Sequence, residues 1–532
     1  MIGLLARPAS GPSLARWRAI VALFALAFAG NAVAAAPLLL RTANYESPVR
    51  ADPDDLLLIP GYGFHTGDRV VYQAVGAASD SGKHPDSVPK TSNATLGTAT
   101  VVRSGSPAYA MTVRLPEEIS PHTIYRLWVV NAGGEWSEPV SINDPRPLWI
   151  SPAYVYATAD VAHTNRRVRV IGRNLEPENS DSVRIRLEGR KTYLLTAEAP
   201  AADSTALRHY VAEAPLPAQM EPGAYAVSVS RGDLGWVRLA DQRLEVRADP
   251  VAARHFDLSD SQFGECRADD EADDSVCLAR AIEAAARAGG GVVDVPAGTW
   301  DLTATRAGGA NSIDGFVLPR NVHLRGAGAK ATFIVRHRGA ESGSAGALLT
   351  LTGANSVSGL AFADAERIES MQDIKAVIQL GIPWDRPGTL RTNGAVRATG
   401  MEGAVDDIVI SDNTFRRVGR AVVDSGRPMS HLFITRNEFS AYETALSMPG
   451  DRFNVAQPYR VDDAVIRWNR FVPGSYVDLT AHQGTIGSGL GASHRVDFSS
   501  NVADGASSEG LQSPQDQHGF RAAFFWNVNG DH

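Results

Sequence analysis

Three segments in the last third of the chain carry the same pattern of apolar and polar positions and superpose without gaps. In each, a run of apolar residues ends at an asparagine and a phenylalanine follows two positions later; the segments are 408–415, 432–439 and 464–471. A fourth segment, 496–501, keeps the asparagine and loses the phenylalanine. The segments begin 24, 32 and 32 residues apart, which is typical of one solenoid turn with loops of varying length.

Alternation within these segments predicts how the turns stack. One stripe of side chains faces inward, and it consists of Ile410, Ile434, Ile466 and Phe498. The four asparagines are expected at a corner, each amide bonded to its neighbour above and below, with the phenylalanines stacked just after them. The pattern therefore predicts a parallel β-helix.

A helix is predicted ahead of these repeats, over residues 275–288. Val276, Ala279, Ile282 and Ala286 recur there at helical spacing. Glycines 289–291 end the helix, where the backbone must turn to positive φ. A strand is predicted over 292–295.

The region from 38 to 246 is typical of short alternating strands separated by Gly, Pro, Asn and Asp. It contains a weak internal repeat, in which strands with Tyr125 and Tyr225 lie 100 residues apart. That is the length of one small β-sandwich. The repeat resembles the IPT/TIG group of immunoglobulin-like domains, which implies two such domains, at 35–147 and 148–248.

The helix and the strand after it resemble the entry segment of pectate-lyase-superfamily β-helices. The matching positions are Asp273, Asp274, Leu278, Ala281, Ile282, 289–293, Pro296, Gly298 and Trp300, and the likeness continues through 317–328. The resemblance implies a right-handed parallel β-helix over 249–532, capped by the helix. It also implies action on polysaccharides. No closing cap is evident before His532, which is compatible with a truncated β-helix; whether catalytic residues lie beyond it is left open by the sequence.

Residues 1–34 have the three parts of a secretory signal peptide: arginines, an apolar stretch over 19–30 and small residues at a cleavage site. The apolar stretch is shorter than the ~20 residues of a membrane-spanning helix. We therefore expect a secreted or periplasmic protein without a membrane span after cleavage. An uncleaved anchor is the alternative.

Charge and cysteine content narrow the function classes. The net charge is −8 with no basic runs, which argues against a nucleic-acid partner. The two cysteines, Cys266 and Cys277, exclude a multi-cysteine metal site. In an exported protein we expect them to form a disulfide. No metal motif stands out and no cofactor is expected, with Ca²⁺ as the exception if the protein is a lyase. The acidic stretch 269–274 is interpreted either as a Ca²⁺-binding segment or as a solvated loop next to the capping helix.

Candidate catalytic groups lie late in the chain, in loops rich in Gly, Ser and Gln. Glu509 and Asp516 are candidates for an acid–base pair, and the wider catalytic set adds Asp478 and His518. Candidate substrate-binding residues are Trp468, His482, Arg495 and Arg521. Ordinary loop polarity is the alternative interpretation of all of them. The pairs 406–407 and 462–463 are interpreted as turn residues that cap strands, because they recur at the same place in the repeat.

Three functions remain open at this point. The first is an enzyme that cleaves a polysaccharide, with a two-carboxylate glycoside hydrolase ahead of a lyase acting on uronic-acid polymers. The second is a non-catalytic, adhesin-like, carbohydrate-binding β-helix. The third is an epimerase or another modifying enzyme on the same scaffold.

Overall fold

The computed structural model describes residues 36–39, 52–74, 96–104, 109–160, 164–175, 183–198, 210–232, 235–251, 253–303, 315–337, 347–365, 376–381, 405–424, 428–447, 461–472, 484–487 and 494–503. In these ranges the chain is mainly β. It divides into two compact units: Met1–Arg146 with Ser230–Val237, and Pro147–Val229 with Arg238–His532. The signal-peptide prediction over 1–34 lies outside the described residues.

The first unit is built on antiparallel strands in the order β1-β2-β5-β4-β3-β6-β7. Alternation along β2 buries Leu57 and Ile59 while Leu56 and Leu58 stay exposed, as expected for a sheet with one solvated face. The strands are β1 (Leu38–Leu39), β2 (Leu56–Tyr62), β3 (Arg69–Ala74), β4 (Gly97–Ser104), β5 (Ala110–Arg114), β6 (Tyr125–Val130) and β7 (Val140–Ile142).

The second unit begins with a module that we call the second module, residues 147–229 and 238–250. It has a three-stranded sheet, β13-β10-β8, and a five-stranded sheet, β12-β11-β14-β15-β9. Side chains from both sheets form one core. The strands are β8 (Arg146–Ser151), β9 (Tyr154–Tyr156), β10 (Arg167–Arg173), β11 (Val183–Glu188), β12 (Thr192–Thr196), β13 (Val211–Pro215), β14 (Gly223–Arg231) and β15 (Val237–Arg247).

The sequence repeat predicted between the first unit and the second module has a structural counterpart in the two tyrosines Tyr125 and Tyr225. The hydroxyl of Tyr125 accepts a hydrogen bond from the Ser120 backbone N–H at 3.0 Å. The hydroxyl of Tyr225 donates to the Glu221 carbonyl at 2.8 Å. Each tyrosine therefore ties the start of its strand to the segment just before it.

The rest of the second unit, which we call the coil, starts with strand β16 (His255–Asp257), a 3-10 turn (Ser261–Phe263) and helix α1 (Ser275–Arg287). Leu278, Ala281, Ile282 and Ala285 of the helix are buried against the first strands of the coil. Val276 was expected on this face but is 54% exposed. The buried stripe has the expected helical spacing of about 100° per residue. It runs through 278, 281, 282 and 285 rather than through the predicted 276, 279, 282 and 286. No helix among the described residues is both long and apolar enough to span a bilayer.

The coil has two parallel sheets, and in most rungs the chain runs through one strand of the eight-stranded sheet and then through two strands, or one long strand, of the eleven-stranded sheet. One has eight strands, β16-β17-β20-β23-β26-β28-β30-β33, and the other has eleven. The further strands are β17 (Gly291–Val295), β18 (Gly298–Thr303), β19 (Phe316–Leu318), β20 (Val322–Gly326), β21 (Thr332–His337), β22 (Leu349–Leu351), β23 (Asn355–Ser358), β24 (Ala361–Asp364), β25 (Ala376–Leu380), β26 (Val405–Ser411), β27 (Thr414–Asp424), β28 (Met429–Thr435), β29 (Glu438–Ser447), β30 (Val461–Arg467), β31 (Arg470–Val472), β32 (Gly484–Gly487), β33 (His494–Ser499) and β34 (Val502–Ala503).

Strand register in the coil follows the sequence repeat. Ile410 pairs with Ile434, Ile434 with Ile466 and Ile466 with Phe498. The three isoleucines are fully buried. The predicted inward stripe is confirmed. One pass of the chain through both sheets is a rung, and successive rungs are about 4.8 Å apart.

The corner asparagines form the predicted ladder. Asn437 accepts from the backbone N–H and the side-chain amide of Asn413, at 3.1 and 3.2 Å. Its own amide nitrogen donates to the Ile410 carbonyl at 2.9 Å and to the Asn469 side chain at 3.1 Å. Asn469 and Asn501 repeat the pattern one rung further on. Asn437 and Asn469 thus each bond both neighbouring asparagines and the end of a strand.

Phenylalanine rings stack directly after the ladder. Phe415, Phe439 and Phe471 have centroids 5.0 Å apart and planes within 6° of parallel. Phe362 extends the stack at 5.3 Å, in a rung without a matching sequence segment. The equal spacing follows from the register, because each ring occupies the same position on adjacent strands.

We predict that Asn437→Ala lowers the free energy of unfolding by about 2–4 kcal/mol, because it leaves buried partners on both neighbouring rungs without a hydrogen bond. Urea unfolding of the variant measures this. The matched control is Arg436→Ala, which removes a partly exposed ion pair and should cost about 1 kcal/mol or less. Equal losses in the two variants would contradict a stabilising role for the ladder.

Candidate functional site

Most of the predicted site residues lie outside the described residues. These are the catalytic candidates Asp478, Glu509, Asp516 and His518 and the binding candidates His482 and Arg521. Their roles stay predictions. Trp468 and Arg495 are described, and both lie on the last rungs of the coil.

Trp468 occupies the turn position just before the asparagine ladder. Asp412, Arg436 and Trp468 hold this place on three successive rungs, with φ of 56°, 54° and 58°. Arg436 binds Asp412 through two hydrogen bonds of 2.7 and 2.8 Å. The Arg467 guanidinium lies 4.1 Å from the centroid of the Trp468 ring. One face of the half-buried indole is therefore covered by the protein's own cation, and the predicted sugar stacking is left to the opposite face.

Arg495 is engaged by a carboxylate of the protein. Its guanidinium donates two hydrogen bonds to Asp463, at 2.6 and 2.9 Å, and lies 3.8 Å from Asp462. A bidentate fork of this kind uses the geometry that would bind a substrate carboxylate. A substrate would have to displace Asp463 for Arg495 to act as predicted.

The two Asp-Asp pairs lie inside strands β26 and β30 rather than in the turns expected from sequence. Asp407, His431, Asp463 and Arg495 stand at the same place on four rungs, all with φ between 53° and 56°. This left-handed residue interrupts each strand in the manner of a β-bulge. The recurrence that suggested a turn reflects this repeated backbone irregularity.

Each carboxylate of these pairs has a cationic or imidazole partner. Asp406 is bonded by Arg320, Asp462 lies 2.8 Å from His494, and Asp463 binds Arg495. Burial raises the pKa of Asp407, but hydrogen bonds from His431 and Arg247 outweigh it, so the pKa falls below its usual value. All four groups are held as ion-pair partners within the protein.

The second module covers the outer face of strands β26, β28 and β30 in the eight-stranded sheet. Val409, Phe433 and Val465 point away from the coil interior, yet they form a buried cluster with Tyr154. The Tyr154 ring lies 5.5 Å from the Phe433 ring and 5.2 Å from the His431 ring. A ligand has no access to this part of the sheet. Sequence analysis missed the covering, although apolar side chains on both faces of a strand indicate burial on both sides.

The outer face of the eleven-stranded sheet carries a partly exposed strip of mixed polarity that sequence analysis did not single out. A column of in-register residues runs along it through five rungs: Phe333, Ala361, Thr414, Glu438 and Arg470. Phe333 is 42% exposed. Beside the column, Arg416, Arg417 and Arg420 are also exposed. Together these residues are the open strip. The signal in the sequence was the alternation around Phe415, which places Arg416 outward.

The open strip is the locally basic part of a chain with net charge −8. Arg470 lies 3.9 Å from Glu438. Five rungs span about 19 Å between the first and last strand. Phe333 at one end of the column can stack on a sugar ring, and Arg470 at the other end and Arg416 on the middle rung can bind acidic substituents.

The predicted disulfide between Cys266 and Cys277 is present. It ties the acidic stretch 269–274 to helix α1. Among the residues that the structure describes, no three His, Cys, Asp or Glu side chains are grouped to hold a metal ion.

Asp274, the N-terminal capping residue of helix α1, is an unusual member of the acidic stretch. It is 1% exposed, and its Oδ1 atom has no hydrogen-bond partner. The pKa of Asp274 is raised from 3.8 to about 6. Burial is the main cause, and the negative charges of Asp270, Asp301 and Asp273 add to it. The hydrogen bond from the Asp301 backbone N–H acts in the opposite direction. The native state therefore binds this proton more tightly than the unfolded chain.

We predict that Asp274→Asn stabilises the protein at pH 7 by about 1–2 kcal/mol. The ionised carboxylate costs free energy that is absent below about pH 4 and fully present above about pH 6, so the gain should appear across that interval. Denaturant unfolding at pH 4 and pH 7 measures it, with the exposed Asp241→Asn as control. An Asp274→Asn variant less stable than the parent at pH 7 would contradict a destabilising role for the ionised Asp274 carboxylate.

Comparison with known proteins was uninformative at the level of sequence: no protein-family model and no curated protein matches the chain. Among solved structures, the A-module of mannuronan C-5 epimerase AlgE4 from Azotobacter vinelandii is 18% identical, with 47% of this chain and 73% of that chain covered and a TM-score of 0.25. The catalytic unit of a GH87 alpha-1,3-glucanase from Streptomyces thermodiastaticus is 13% identical, with 64% and 74% covered and a TM-score of 0.21. The Bacteroides ovatus protein SGBP-B, from a mixed-linkage glucan utilization locus, is 14% identical, with 41% and 49% covered and a TM-score of 0.20. These TM-scores are low, and the likenesses assign no function to this chain.

Proposed function

We propose that this chain is an exported carbohydrate-active enzyme that binds a polysaccharide along the open strip of the coil and cleaves its glycosidic bonds. The observation that carries the proposal is the contrast between the two sheets. The second module covers the outer face of one at strands β26, β28 and β30, whereas the other presents the exposed Phe333 ring and the exposed Arg470 in one register column. A rung spacing of about 4.8 Å suits a chain of sugar rings lying along the coil axis.

The proposed architecture is a right-handed parallel β-helix over 249–532, preceded by IPT/TIG-like domains at 35–147 and 148–248. The handedness is supported by the strong preference for right-handed connections between parallel strands of one sheet. Export through a signal peptide at 1–34, to the periplasm or medium, is supported by the Cys266–Cys277 disulfide, because such bonds persist in oxidising compartments.

For the chemistry, we propose a glycoside hydrolase in which Glu509 and Asp516 are the two carboxyl groups. One would protonate the leaving oxygen and the other would activate water or attack the sugar directly. Asp478 and His518 complete the proposed catalytic set. The reaction needs no cofactor.

A polysaccharide lyase is the second candidate, and the arginines of the open strip favour it. β-Elimination from a uronic acid needs a base at C5 and a cation that neutralises the carboxylate. Exposed guanidinium groups supply such a cation, and Ca²⁺ would serve the same purpose if the substrate brought it.

We expect the secreted protein to release new reducing ends from a polysaccharide, tested on a panel of neutral and uronic-acid polymers. Ultraviolet absorbance of an unsaturated product, followed in the same reaction, separates the chemistries. Reducing ends without absorbance indicate hydrolysis, and both together indicate elimination. Glu509→Gln and Asp516→Asn should each lower kcat by about a hundredfold or more. Binding without either signal would leave the non-catalytic, adhesin-like alternative.

Binding should depend on the open strip independently of the chemistry. We predict that Phe333→Ala and Arg416→Ala each weaken polysaccharide affinity by about tenfold, equivalent to about 1.4 kcal/mol. Affinity electrophoresis in polymer-containing gels measures this, with the exposed Arg238→Ala as matched control. An unchanged affinity in both strip variants would place the binding surface elsewhere.

A further inference from the structure

The contact between the second module and the coil continues beyond the apolar cluster around Tyr154. The Arg247 guanidinium lies 3.6 Å from the Tyr154 ring centroid and donates to Asp407 at 3.1 Å. Gln242 reaches Asp463 at 3.4 Å. Residues from two strands of the second module, β9 and β15, thus contact the positive-φ column of the coil.

A second set of contacts lies further along the same face and is charged. Arg169 of the second module bonds Glu213, also of the second module, and Asp497 of the coil, both at 3.0 Å. Arg467 of the coil reaches back to Glu213 at 3.1 Å. Ser151 donates to Asp497 at 3.0 Å. Two arginines and two carboxylates therefore alternate across the contact.

This network is buried. The side chains of Arg169, Arg467 and Asp497 are 8%, 5% and 4% exposed, and that of Glu213 is 18% exposed. Burial raises the pKa of Glu213, but Arg467 and Arg169 more than offset it and hold the pKa below its usual value. A buried charge that loses its partner is strongly destabilised. Each of the four side chains therefore has an oppositely charged partner in the network, and replacing Arg169 removes the 3.0 Å ion pair of Asp497.

We infer that the second module is a built-in clamp on the coil, and that Arg169 and Glu213 are positioning residues for the rung of strand β33. The clamp holds this rung at Asp497 and Ser499, where Arg169 bonds both side chains. Glu509 follows Ser499 by ten residues. The consequence for catalysis rests on the proposed function, because it requires that the segment after β33 carries the catalytic carboxylates.

Amide hydrogen exchange of the full-length protein tests the clamp directly. In Arg169→Met and Glu213→Gln, exchange over 494–499 should be faster by about tenfold, because the rung opens when its anchor is lost. Exchange over 322–326, far along the stack, should not change. Ser151→Ala removes only the hydrogen bond to Asp497, so we expect a smaller increase in exchange over 494–499. This variant keeps the test possible if Arg169→Met or Glu213→Gln fails to fold. The matched control is Arg238→Met.

Activity on the polysaccharide separates positioning from general stability. Arg169→Met should lower kcat by about tenfold with KM nearly unchanged, since Arg169 does not contact the open strip. Arg169→Lys should restore part of the loss, because an ammonium group can pair with one carboxylate but not span two.

Each outcome decides one of the two proposals. Unchanged exchange over 494–499 in all three variants would overturn the clamp, whatever the activity. Faster exchange with an unchanged kcat would overturn the positioning role. A parent protein inactive on every polymer but with the predicted exchange pattern would overturn the proposed function and leave the clamp standing.

Discussion

The coil depends on one constraint: a buried amide at each corner must find hydrogen-bond partners on the rungs before and after it. Asn437 meets this by accepting from Asn413 and donating to Asn469 and to a strand end. An amide can do so only if adjacent strands keep the same register, so the ladder aligns every other position. The phenylalanine stack, the isoleucine stripe and the left-handed column all follow from that alignment.

A strictly repeated register also creates two long outer faces, and the protein treats them differently. The eight-stranded sheet places Val409, Phe433 and Val465 outward, where they would be costly in water, and the second module buries them. The eleven-stranded sheet places Arg416 and Phe333 outward, where they stay exposed. A ligand therefore has no access to the covered strands β26, β28 and β30, whereas Arg416 and Phe333 are exposed to one.

Charged side chains are also arranged differently at the contact with the second module and on the open strip. Where the second module meets the coil, arginines and carboxylates alternate and neutralise each other, as Arg169, Glu213, Arg467 and Asp497 do. On the open strip, Arg416 belongs to a group of exposed arginines on an otherwise acidic chain. Buried ion pairs fix geometry, whereas exposed cations are accessible to an anionic ligand.

The sequence by itself determined what recurs from rung to rung: the asparagine ladder, the inward isoleucines, and the helix ahead of them with its disulfide. Contacts between neighbouring rungs repeat at nearly fixed spacing, so each leaves a periodic trace in the chain. Only the tertiary structure decided which outer face is covered and that Arg495 is paired with Asp463. Arg169 and Asp497 meet although 328 residues separate them, and a contact that occurs once between distant segments produces no repeat from which to predict it.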